Sequence, residues 1–158
     1  AAALAAERAT DVDRAAILAC AGRMREAHGK EDPSEEADVD ADLHLAIYEA
    51  AHNVVMLHIM RSLSEMLRND VFYNRNSLYI RAGVRDLLLR QHLAIADAVL
   101  AGEADKARAA AEAHVNFTYR TLQDIRQDDR RLEVSLRRIG RSELVDDEGQ
   151  SVSGRVPR

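Results

Sequence analysis

Cysteine is all but missing. Cys20 is the only one in 158 residues, so no internal disulfide can form and a reducing cytoplasm is the expected compartment. Tryptophan is absent and aromatics reach only 4%, too few for a typical sheet-built core. With 2 Pro and 7 Gly, little interrupts a helix. No apolar run approaches the ~18 residues of a membrane span, and no signal peptide is visible. There is no Walker loop, no G-x-G-x-x-G and no H-E-x-x-H, which removes the usual nucleotide-binding signatures and the zincin protease reading. Basic charge is in deficit: 22 Lys and Arg stand against 27 Asp and Glu, a net charge of -5. Such a chain is a poor stand-alone nucleic-acid binder, because phosphate contacts need a basic surface. An initiating Met is lacking too. "AAALAAERA" opens inside a helical pattern, and an upstream domain is expected.

What is present is Ala, Leu and charge: 47% of residues are hydrophobic and 31% charged, the balance of a soluble globular domain. Each segment with a clear period has the helical one. Residues 1–9 form a first helix. Thr10 is a candidate N-cap for a second over 11–28, with Ile17, Leu18 and Met24 among its apolar positions and Gly29 at its end. "EDPS" breaks the pattern, and Ser34 is placed to cap a third helix over 35–52. Asn53 is a boundary residue. A fourth helix over about 54–73 carries Leu57, Met60, Leu63 and Leu67, and "NRNSLY" (74–79) is a polar connection. A fifth covers 84–101, closed by Gly102, and a sixth starts near Ala104 and passes Ile125. The expected fold is therefore all-α, an antiparallel bundle of about six to seven helices over residues 1–140. A polar tail is expected over 141–158.

Three helices carry polar residues on their apolar stripes. Asp40 and His44, spaced i,i+4, share a face with Ala37, Ile47, Tyr48 and Ala51. His92 interrupts the stripe Leu88, Ile95, Val99. His114 interrupts Ala107, Ala110, Phe117, Thr118. One inward His is ordinarily a hydrogen-bonded core residue. Four inward polar groups that converge would cost several kcal/mol of desolvation if unpaired. One divalent metal (Zn, Ni, Mn, Co or Fe) answers that cost with a ligand set of three imidazoles and one carboxylate. His28 sits at a helix end, where a cation interacts well with the dipole, and His52 and His58, on polar or flanking positions, read as surface residues. Glu49 and His52 form one E-x-x-H, short of the two pairs a di-iron bundle needs.

At these residues the chain resembles a known family. "AAALAAERATDVD", "DADLHLAIYEAAHN" and "RQHLAIADAVLAGEADKARAAAEAHV" are similar to the opening helix, the D-x-x-x-H segment and the H-x-A-I segment of the FadR C-terminal (FCD) domain. That domain is the effector-binding half of many GntR-family bacterial transcription regulators. The likeness covers roughly residues 1 to 128 and is nearest to members that respond to pyruvate, lactate or glycolate. It implies an all-α bundle whose metal ligands are Asp40, His44, His92 and His114, with a small carboxylate effector over the metal. It also implies a homodimer, and DNA contact only through an N-terminal winged-helix domain that this chain does not contain. Leu43 stands where the family commonly has Phe before the His.

The effector anion calls for a cation, best a bidentate guanidinium. Arg68 is the first choice because it matches an Arg common in the family, with Arg61 and Arg85 behind it. Tyr48, one turn after His44, is a possible hydroxyl donor. Two other readings use the same residues: a metal-dependent enzyme acting on small carboxylates, and a structural metal with no effector. The enzyme would need a general base beside the metal, and no inward carboxylate beyond Asp40 is evident. "RQDDRRLEVSLRRIGR" (126–141) reads as a solvated helix extension or as a contact to a partner.

Overall fold

The starts of two helices and the end of another fall where the sequence supplies caps. The computed structural model describes residues 1–30, 33–62 and 83–148, and within them every element is helical. The helices are α1 (Ala2–Arg8), α2 (Asp11–Lys30), α3 (Pro33–Ala50), α4 (helical over 54–62, where the described residues pause), α5 (Val84–Leu100) and α6 (Ala104–Glu148).

Thr10 does cap α2. Its Oγ1 accepts from the Asp13 amide at 3.3 Å, while Asp13 Oδ2 accepts from the Thr10 amide at 2.8 Å. This reciprocal arrangement satisfies backbone donors at both ends of the first turn. The Thr10 bonds, the side-chain one first, hold the Asp13 carboxyl below its ordinary value, with His52 adding to the effect. The same Oδ2 lies 2.8 Å from His52 Nε2, so one carboxylate ties the start of α2 to the turn after α3. His52 takes a left-handed φ of 46° in that turn, and Asn53 Oδ1 then accepts from the Met56 amide at 3.1 Å to start α4. At the end of α5, Gly102 adopts φ 73°; its amide bonds Val99 O at 3.0 Å and the Glu103 amide bonds Ala98 O at 3.0 Å. That is a Schellman closure, and the positive φ is why glycine stands there.

Two expected boundaries moved. Gly29 lies inside α2, which continues to Lys30. Nothing crowds it, and a single internal glycine costs the helix only about 1 kcal/mol. α3 begins at Pro33 rather than beyond Ser34, since proline is well suited to the first helical position, where no N–H is needed.

α2 packs against α3 and α5, and α1 packs against the same two helices. The contact is close because the facing side chains are small: Ala5, Ala27, Ala50, Ala51, Ala96 and Ala107 are fully buried. Ile17, Leu43 and Val99 are the largest fully buried apolar side chains among the described residues, each contributing roughly 1.5–3 kcal/mol on burial. Leu18, one residue round from Ile17, points outward and is 60% exposed. Arginines finish the helix ends: Arg8 donates to Ala51 O at 3.4 Å, and Arg14 donates to the carbonyls of Val99 and Leu100.

Residues Ala1–Leu122 form one compact unit and Gln123–Arg158 a second. In the second, Leu132, Val134 and Leu136 are exposed, and the helix is supported locally by Asp128–Arg131 and Glu133–Arg137 pairs. The helix continues over residues 141–148, part of the stretch expected to be a tail. Leu63, Leu67, Arg68, the "NRNSLY" connection and residues 149–158 lie outside the described residues.

Candidate metal centre

A bundle interior normally takes Leu, Ile or Val where space is largest. Among the described residues, the four largest fully buried side chains are Ile17, Leu43, Val99 and His92. His92 sits at 2% exposure on the stripe it shares with Leu88, Ile95 and Val99, all of which are buried. The stripe was legible from the spacing, and so was the placement of the imidazole in it.

α3 brings Asp40 (9% exposed) to the same point. Its Oδ1 lies 2.6 Å from His92 Nε2 and 3.4 Å from His44 Nε2. The two Nε2 atoms are 3.3 Å apart, so two imidazoles from different helices aim the same nitrogen at one carboxylate oxygen. α6 adds His114, 6% exposed, with its ring centroid 4.3 Å from that of His92 and 5.5 Å from that of His44. One ligand nitrogen from each of the three rings can be chosen so that all lie within 4.8 Å of one another. His44 keeps 29% of its side chain in solvent, whereas His92 and His114 are buried.

The chemistry of this donor set is specific. Neutral imidazoles and a carboxylate are the ligands of borderline divalent metals. Two nitrogens bound about 2.0–2.1 Å from one tetrahedral ion stand about 3.3 Å apart, which the His44–His92 spacing matches. The residues fit a divalent cation, with His44, His92 and His114 as the ring donors and Asp40 beside them. His114 Nδ1 is 3.1 Å from Gln91 Oε1. Gln91 was missed in the sequence, because a residue next to a stripe His lies off the apolar face.

A second buried polar group lies one turn away, and it was also missed. Glu36, 6% exposed, precedes Asp40 by four residues on α3. Arg85 Nε donates to Glu36 Oε1 at 2.6 Å, and its terminal nitrogen reaches the same oxygen and the His28 carbonyl. His28 Nε2 is 3.0 Å from Asp86 Oδ1. His28, which the sequence places at a helix end, is thus a half-buried bridge between α2 and α5. Glu36 and Arg85 line a small cleft with Met24, Leu88 and His92, with water-accessible space of about 10 Å³, room for roughly one water.

The remaining candidates are scattered. Arg61 pairs with Glu49 at 2.9 Å on an exposed face. Tyr48 is half-buried on α3 one turn past His44, and Arg68 lies outside the described residues. His52 and His58 are exposed, as expected.

Residues 1–117 match the family model described as FCD domain. A regulator of the L-lactate dehydrogenase operon from Escherichia coli (strain K12) is 39% identical over 127 residues, which covers 80% of this chain and 48% of the relative. A protein of the same name from Shigella flexneri matches equally. A transcriptional activator of the Glc operon from Escherichia coli (strain K12) is 37% identical over 125 residues, 77% of this chain and 49% of the relative. The chain spans about half the length of the curated relatives it matches.

Proposed function

The chain belongs to the FCD domain family, and on that premise we propose that it is the ligand-sensing half of a bacterial transcription regulator. It binds one divalent metal through Asp40, His44, His92 and His114. It senses a small 2-hydroxy or 2-oxo monocarboxylate, of the lactate, glycolate or pyruvate class. The observation that carries this reading is the convergence of three imidazoles and one carboxylate from three helices at a half-open interior position.

Charge explains why such a site would suit an anion. Three neutral imidazoles and one carboxylate carry a net charge of -1, and a divalent ion would raise it to +1. A monocarboxylate brings the total to zero, which a poorly solvated site favours. When bound, the metal would supply Lewis-acid attraction for the effector's carboxylate and its neighbouring oxygen. The solvent-facing edge at His44 favours an open site over a purely structural one. The regulatory names of the relatives support a binder rather than an enzyme. Arg68, Arg61, Arg85 and Tyr48 are the candidates for a second effector contact; Arg85 borders the cleft beside His92, but its guanidinium is already engaged by Glu36.

The domain acts as a homodimer in the cytoplasm, and effector binding biases an attached DNA-binding domain. The L-lactate dehydrogenase operon in the name of one relative supports the lactate end of the range.

Isothermal titration of the metal-loaded domain with L-lactate, glycolate and pyruvate tests the reading. Saturable binding without turnover is expected. Turnover would make it an enzyme, and silence with every acid would leave a structural metal. Elemental analysis of His92→Ala combined with His114→Ala should show the metal gone; retained stoichiometric metal would overturn the ligand assignment.

A further inference from the structure

His114 enters the cluster from α6 with one ring nitrogen already engaged: Nδ1 lies 3.1 Å from Gln91 Oε1, a part-buried contact between α6 and α5. We propose that Gln91 is a positioning residue for the metal centre, fixing the ring and the tautomer of His114 so that Nε2 carries the lone pair. This rests on the metal reading above.

A neutral imidazole has one N–H and one lone pair, and the partner of one nitrogen decides the role of the other. An amide oxygen only accepts. When Gln91 Oε1 faces Nδ1, the proton sits on Nδ1 and Nε2 is the nitrogen able to ligate. The opposite amide rotamer would present an N–H instead, place the lone pair on Nδ1 and leave Nε2 protonated. Gln91 therefore holds the ring in the form a cation needs. Its neighbour His92 turns about 100° away on the same helix, toward Asp40 of α3. One turn of α5 thus delivers a ring to the site on one side and supports a ring of α6 on the other. Outer contacts of this kind typically change metal affinity about 10–100-fold when removed.

The test combines zinc affinity, by competition with a chromophoric chelator, with ring-nitrogen NMR shifts of His114 in the metal-free protein. Gln91→Leu keeps the volume and removes the acceptor. It is expected to weaken zinc binding about 10–100-fold and to shift His114 toward the Nε2–H tautomer, while the urea midpoint of the metal-free protein stays put. Gln91→Glu keeps an acceptor and should hold zinc within a few-fold of wild type. His114→Ala separates the two ideas. If it loosens zinc while Gln91→Leu does not, Gln91 has no positioning role although the metal reading stands. If the wild type takes up no zinc, both fall. Should Gln91→Leu fail to fold, an Nε2–H tautomer of His114 in the wild type overturns the proposal by itself.

Discussion

Two buried polar groups sit one turn apart along α3, and they solve the cost of burial in different ways. Around Glu36, the carboxylate is matched by the Arg85 guanidinium, which also takes the His28 carbonyl, and His28 in turn meets Asp86. That group carries its own cation. Around Asp40, the partners are imidazoles, two of which direct Nε2 at one oxygen. Imidazoles can be neutral or charged, and neutral rings cannot balance a carboxylate. The first cluster is complete as a protein structure, whereas the second is one that the proposed divalent ion would complete. Burial of polar residues alone therefore does not mark a site; the kind of partner does.

The contrast can be broken at its strongest point first. Arg85→Met leaves the Glu36 carboxylate, 7% exposed, without its guanidinium, and should cost about 3–5 kcal/mol in urea denaturation. Adding Glu36→Leu should recover most of that loss, because a hydrophobic pair of similar volume replaces a buried ion pair at little cost. If Arg85→Met is neutral, the Glu36 group is not self-sufficient in the sense argued.

Metal removal tests the other side. At a free ion concentration 100 times the dissociation constant, bound metal stabilises the fold by about 2.7 kcal/mol. Chelation should therefore lower the melting temperature of the wild type. It should leave that of His92→Ala with His114→Ala unchanged. A chelator effect that survives in the double variant would place the ion elsewhere.

The smallest effect concerns Asp13, a surface counterpart to both buried groups. Its folded pKa is lowered from 3.8 by the Thr10 bonds, with His52 contributing. A depressed carboxyl contributes stability that is present above the unfolded value and lost as pH falls through the folded one. The difference between wild type and Asp13→Asn should thus be steady near neutral pH and shrink below about pH 4. Its size should stay under about 1 kcal/mol, since solvent screens the contact. A difference that grows in acid would reverse the assignment.

Much of this was readable residue by residue. The Leu88–Val99 stripe, the i,i+4 pair on α3 and the Thr10 and Gly102 caps were all legible, because each depends on spacing within one helix. The outward turn of Leu18 was not, since its apolar character says nothing about which side neighbours lie on. Gly29 misled because a glycine stops a helix only when the chain turns there. Glu36 and Arg85 carried a faint signal, four residues before Asp40 and seven before His92, but an acid and an arginine at those offsets are commonplace on solvated faces.

What the sequence by itself determined is the set of helices and the face of each on which Asp40, His44, His92 and His114 project, because a 3.6-residue period orients every side chain about its own axis. Only the tertiary structure decided that those faces meet, that Asp40 is shared between His44 and His92, and that Gln91 stands behind His114. Those are relations across helices, set by how small residues let the helices approach, and no local periodicity encodes them.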